Sequence, residues 1–181
     1  VNVEMYSRQN NHVLDQWINQ YFEKVVDDVT DTLNNYEIDK ACRHISLFIN
    51  DLSTWYVRRS RDRFKRKGVD KQAAVVNLGA ILSDFSKILA PIVPFLAEHI
   101  YQEVRKEKTD CESVHLESWP ESVYEGDEIG TPLMKDMEQI RITCEKAHSL
   151  RDEAGIKVRQ ALRKLEIRNL KLEIEEREPL M

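Results

Sequence analysis

Hydrophobic residues recur at three- and four-residue steps through most of the chain, and they predict five helices. Residues 13–33 place Leu14, Trp17, Ile18, Tyr21, Phe22, Val25, Val29 and Leu33 on one face, the repeat of an amphipathic α-helix. Asn34 and Asn35 are its expected terminators, and Asp39 is the expected N-cap of the next helix. The second helix is predicted to run unbroken from about Lys40 to Lys65. Its inner face is Ala41, Ile45, Phe48, Leu52 and Trp55, and Gly68 closes it as a C′ glycine. Asp70 can cap a third helix with Ala74, Leu78, Ile81, Leu82, Phe85, Ile88 and Leu89 inward, stopped by Pro91. Pro94 suits the first turn of a fourth helix over 93–106, which carries Phe95, Leu96, Ile100, Tyr101 and Val104.

The helical period then breaks. Residues 107–131 hold the acidic run EGDE and two glycines, and Val114, Leu116 and Trp119 alternate with polar residues as an extended segment does. Trp119, before Pro120, is expected to pin that segment across the bundle. Thr131 or Pro132 opens a fifth helix with Leu133, Met137, Ile140, Cys144, Ala147 and Leu150 at helical spacing, ended by Gly155. From Ile156 onward the alternation of Leu165, Ile167, Leu170, Leu172 and Ile174 reads as one or two strands whose partners lie past Met181. The predicted fold is mainly α, an antiparallel helix bundle over 1–155 with a short C-terminal extended or β segment over 156–181.

Composition narrows the class without changing this picture. A chain of 181 residues, 33% charged and 41% hydrophobic, suits one globular domain with at most a small appendage. No apolar run approaches the ~20 residues that span a bilayer, and no signal or transit segment opens the chain. Three widely spaced cysteines, Cys42, Cys111 and Cys144, point to free thiols in a reducing compartment rather than a disulfide framework. The chain starts at Val1 without an initiator methionine, so a fragment of a longer polypeptide is expected.

Charge changes the picture more. Residues 58–67 hold Arg58, Arg59, Arg61, Arg63, Lys65, Arg66 and Lys67 against the single acid Asp62. Seven cations less one acid give +6, and since the whole chain carries −5, everything else sums to −11. One basic helix end on an acidic protein is an electrostatic footprint for a polyanion. The plainer reading is a solvated helix end whose arginines pair with nearby acids, Asp62 with Arg58 and Arg66 among them. At 100° per residue, Phe48, Leu52, Trp55 and Tyr56 share a face that Arg59 and Arg63 continue, while Arg58, Arg61 and Lys65 point elsewhere. The first pair is therefore expected to be partly buried and the other three to face a partner.

The same stretch carries a resemblance. NDLSTWYVRRSRDRF (residues 50–64) closely resembles a segment of the anticodon-binding domain of the isoleucyl-tRNA synthetase family, DLSNWYxRRSRDRFW. Thr54 stands where that family has Asn, and Lys65 where it has Trp. VLDQW (13–17), LAPIVPFLAEHIY (89–101), SVHLESWP (113–120) and RDEAGIKVRQAL (151–162) match further landmarks in order, with Ala161 in place of a usual Pro. The resemblance covers roughly residues 13–162. It implies a helix bundle that packs on the anticodon stem and loop of isoleucine tRNA and follows the catalytic domain in a cytoplasmic, monomeric enzyme. Taken with charge and helical angle, Arg58, Arg61, Lys65, Arg66 and Lys67 are the candidate tRNA contacts, with Lys157 and Arg159 as a second candidate run, and Trp55, Tyr56, Arg59 and Arg63 are expected in structural or interface roles. The family's whole enzyme uses ATP and Mg²⁺ to charge tRNA, and many members carry zinc at the far C-terminus, past Met181 here.

No catalytic motif accompanies this region. There is no HIGH-like tetrapeptide, KMSKS-like loop, P-loop, GxGxxG or GxSxG, so no reaction and no cofactor are expected of these residues. Two Glu-x-x-His pairs, Glu112 with His115 and Glu145 with His148, fall short of a di-iron set, which needs two more core-facing glutamates. The aromatics Trp17, Tyr21, Phe22, Trp55 and Tyr56 are expected in the core, although a partly exposed one beside the basic block could stack on an unpaired RNA base. Against the RNA-binding reading stands a docking module that packs its arginine stripe on another domain of the same polypeptide.

Overall fold

The computed structural model describes residues 12–105, 111–122, 124, 130–162, 164 and 166. The chain divides into two compact units, Val1–Tyr124 and Glu125–Met181. The first holds helices α1 (Val13–Asn34), α2 (Ile38–Asp51), α3 (Arg61–Lys65), α4 (Val69–Leu89) and α5 (Pro94–Val104). A π-helical turn, Leu52–Val57, continues α2, and a 3₁₀ turn, Val114–Leu116, follows α5. The second unit holds α6 (Pro132–Glu153). The mainly helical bundle matches the sequence expectation, and no strand occurs among the described residues.

α1 and α2 form an antiparallel hairpin. Phe48 meets Tyr21 and Phe22, while Tyr56 further along reaches back to Asp15, so one helix runs down as the other runs up. α4 packs on α1 and along α5. Phe22, Phe48 and Phe85 close the three-way junction with ring centroids 5.2–6.4 Å apart, a separation at which aromatic pairs attract beyond their buried area. Ile18, Val29, Phe48 and Ile88 are fully buried around them.

Helix ends differ from the sequence reading where small local chemistry decides them. Glu37, not Asp39, precedes α2, and the connection is turned by Tyr36 at φ 60°. α3 ends at Arg66 with extended backbone, so Gly68 is not its C′ residue; at φ 128° it instead opens α4, displacing Asp70 into the first turn. There the backbone sits in a region that only glycine adopts cheaply. Pro94 opens α5 as expected, yet Phe95 is 92% exposed and Leu96 is exposed too, because Ala97 and Tyr101 take the inner positions.

The segment 111–122 is a strap rather than a strand. Val114 is buried at the start of the 3₁₀ turn, with Leu116 exposed. Glu98 on α5 holds the turn by accepting from Ser113 Oγ at 2.9 Å and Val114 N at 3.0 Å. Trp119 Nε1 donates to Thr30 Oγ1 at 2.8 Å and Ser122 Oγ to the Glu23 carbonyl at 3.1 Å, so the strap does reach across to α1.

In the second unit, Thr131 caps α6 and Gly155 ends it at φ 66°. Gly155 N bonds Asp152 O and Ile156 N bonds Arg151 O, the paired bonds of a Schellman ending. Residues 156–162 are turn and irregular backbone; the strands expected further on fall almost wholly outside the described residues.

Candidate nucleic-acid interface

The site is built by the π-helical turn. Ser53 Oγ and Thr54 Oγ1 both donate to the Asn50 carbonyl, at 3.0 and 2.7 Å. Hydroxyls that take up a helix carbonyl compete with its amide partner, and here the turn widens, with Arg58 N bonding Ser53 O at 3.1 Å, an i→i+5 bond. Widening inserts the equivalent of one residue into the helix. The unbroken helix expected from Lys40 to Lys65 therefore does not form, and the side chains beyond Leu52 are reassigned.

Tyr56, Ser60 and Arg63 become the buried positions. Trp55, expected in the core, is only half-buried. Arg59, expected to be partly buried, is exposed, and its guanidinium lies over the Trp55 ring, 4.6 Å from the centroid.

Arg63 is committed to the fold. Its Nη1 and Nη2 donate to the two carboxylate oxygens of Asp15, each at 2.8 Å, and Nε donates to Asp70 Oδ1 at 2.8 Å. The Asp15 and Arg63 side chains are 1% and 8% exposed. Desolvating such a pair costs several kcal/mol per ion, which only good geometry offsets, and the two-pronged match supplies it. Tyr56 Oη donates to Asp15 Oδ1 at 2.7 Å, Asn77 Nδ2 donates to Tyr56 Oη at 3.1 Å, and Asn19 Nδ2 donates to Asn77 Oδ1 at 2.9 Å. This network ties α1, the π turn, α3 and α4 together.

Titration follows the geometry. Burial first, then the hydrogen bond to Asp15, pushes the Tyr56 phenol well above its ordinary value. The Asp15 hydrogen bonds likewise raise the Arg63 guanidinium above its ordinary value, burial opposing them. His12, whose Nδ1 accepts from Leu14 N at 3.2 Å as the cap of α1, is lowered by burial and by the Arg63 charge.

With Arg63 occupied, the rest of the basic block faces water. Arg58, Arg59, Arg61, Lys65, Arg66 and Lys67 are all exposed, as is Asp62. Among the described residues none of these six cations makes an ion pair with an acid, the Asp62 pairs with Arg58 and Arg66 included. Six cations beside one acid leave a local excess of five charges on one corner of the unit. Lys157 and Arg159 belong to the second unit and are exposed there, on a loop held by Arg151 Nη2 through the carbonyls of Lys157, Val158 and Gln160.

Sequence reasoning missed Asp15, Asp70, Asn19 and Asn77. A signal for Asp15 was present: it lies on the line of Ile18, Phe22, Val25 and Val29, and a carboxylate on an apolar face needs a buried partner. The metal reading of the Glu-x-x-His pairs gains nothing, since no group of three or more His, Cys, Asp or Glu that could hold a metal gathers among the described residues.

The first unit is an all-α bundle with one solvated cationic corner over a locked ion pair. Residues 15–167 match the family model for the anticodon-binding domain of tRNA ligases, and the chain belongs to that family. It is similar to the isoleucine–tRNA ligases of Chlamydia trachomatis serovar D (40% identical over 85% of the chain and 15% of the relative), Chlamydia pneumoniae (42%, over 82% and 14%) and Streptomyces coelicolor (38%, over 83% and 14%). The chain thus spans about 15% of the length of these curated relatives.

Proposed function

We propose that this chain is the part of an isoleucine–tRNA ligase that grips the anticodon arm of isoleucine tRNA. The observation that carries the reading is the exposed basic block beside Arg63: six cations are left to solvent while the seventh is spent on the core. Phosphate contacts of this kind supply affinity and orientation. Ligation of isoleucine to tRNA with ATP and Mg²⁺ belongs to the remainder of such a polypeptide, whose catalytic domain is the proposed covalent partner, and the whole is proposed to act as a cytoplasmic monomer. A C-terminal zinc site would lie outside the described residues. No helix among the described residues is long and apolar enough to cross a membrane.

The docking alternative keeps one specific support, the exposed apolar group Val93, Phe95 and Leu96 at the start of α5, a patch that another domain of the same polypeptide would cover. The two readings use different surfaces and are compatible. Titration of the chain with isoleucine tRNA and with a non-cognate tRNA tests the first. Tighter binding of the cognate species is expected; equal or absent binding of both contradicts it.

A further inference from the structure

We propose that Trp55 and Arg59 form a stacking platform for one unpaired base of the bound RNA loop. The inference rests on the tRNA-binding reading and deepens it, because it assigns a base contact to a site that charge alone marks only for phosphates.

Three observations carry it. Arg59 is exposed, and its guanidinium is 4.6 Å from the Trp55 ring centroid. Such contact fixes a long side chain that would otherwise sample many rotamers. The guanidinium lies over the indole yet stays exposed, a planar cation open to a partner. Guanidinium planes and aromatic rings are the surfaces on which unstacked RNA bases settle. The platform also stands inside the cationic field of Arg58, Arg61, Lys65, Arg66 and Lys67, which would hold the flanking phosphates.

The placement follows from the widened turn. On an unbroken α-helix Trp55 would enter the core beside Tyr56; past the π turn only Tyr56 stays buried, and Trp55 and Arg59 stand at the rim. A lysine in place of Arg59 would keep the charge and lose the plane, so the two roles of Arg59 can be separated.

The test is binding of an isoleucine-tRNA anticodon stem-loop to the chain and to Arg59→Lys, Trp55→Phe and Arg58→Lys, across a salt series, with a second RNA made abasic at single loop positions. Arg59→Lys is expected to weaken binding on the order of 10-fold, with the salt slope unchanged. Trp55→Phe should give a smaller loss, and Arg58→Lys almost none. Removing the stacked base should abolish the difference between the parent chain and Arg59→Lys. Binding by Arg59→Lys equal to that of the parent overturns the platform and leaves the tRNA-binding reading standing. A parent chain that fails to bind the stem-loop at all removes both.

Discussion

At the scale of single residues, the fold turns on where one arginine goes. The sequence presents seven cations in ten positions with nothing to rank them; a 100° helical wheel buries Arg59 with Arg63. The wheel fails where the helix widens, at a turn in which the Ser53 and Thr54 hydroxyls share one carbonyl, a choice that depends on tertiary packing as much as on local residues. It places Arg63 correctly and Arg59 wrongly: past the widened turn Tyr56 and Ser60 take the inner positions, and Arg63 reaches Asp15 from the separate short helix α3. Because Asp15 is 1% exposed, removing its partner strands a buried charge. Arg63→Gln is expected to cost about 3–5 kcal/mol in urea unfolding, whereas the double change Asp15→Leu with Arg63→Met should recover much of that loss. A single variant as stable as the parent would show that the pair contributes nothing to folding.

At the scale of elements, the helices are legible because each buries one periodic face, and caps move by a residue or two where Tyr36 and Gly68 adopt positive φ. The strap defeats the pattern. Val114, Leu116 and Trp119 alternate as a strand would, but only Val114 is buried, and side-chain oxygens rather than a neighbouring strand satisfy the backbone. Glu117 carries part of that load: it accepts from Tyr101 Oη at 2.5 Å and Cys111 N at 3.0 Å, with Lys87 Nζ 3.5 Å away. The Tyr101 hydrogen bond, then the Cys111 amide, holds its pKa below the ordinary glutamate value. A carboxyl lowered in the folded state stabilises the fold above its unfolded pKa, and that contribution fades as pH falls through the folded value. Glu98, lowered by Gln102, Ser113 and Val114, acts in the same direction. The strap is therefore expected to loosen in acid before the α1–α2 hairpin does. Trp119 fluorescence against pH should show it, with a shallower acid response in Glu117→Gln; identical profiles would mean that Glu117 does not hold the strap.

At the scale of the molecule, an acidic protein turns one basic corner outward, and that asymmetry is legible in the sequence alone. Which cations remain available is not, because that depends on Asp15 reaching Arg63 from a helix far away in the chain, with Asp70 joining from the start of the next helix. The proposed function stands or falls on whether the exposed cations of this corner meet tRNA phosphates. Replacing Arg58, Arg61 and Lys65 together by Gln leaves the buried network untouched, and exposed changes of this kind usually shift stability by under about 0.5 kcal/mol each. The decisive measurement is the dependence of isoleucine-tRNA affinity on salt concentration for parent and triple variant, with melting temperatures alongside. Weaker binding is expected, with a log–log slope shallower by roughly 2–3 units and a nearly unchanged melting temperature. An unchanged slope in a folded variant that still binds would contradict the phosphate contacts and turn attention to Lys157 and Arg159.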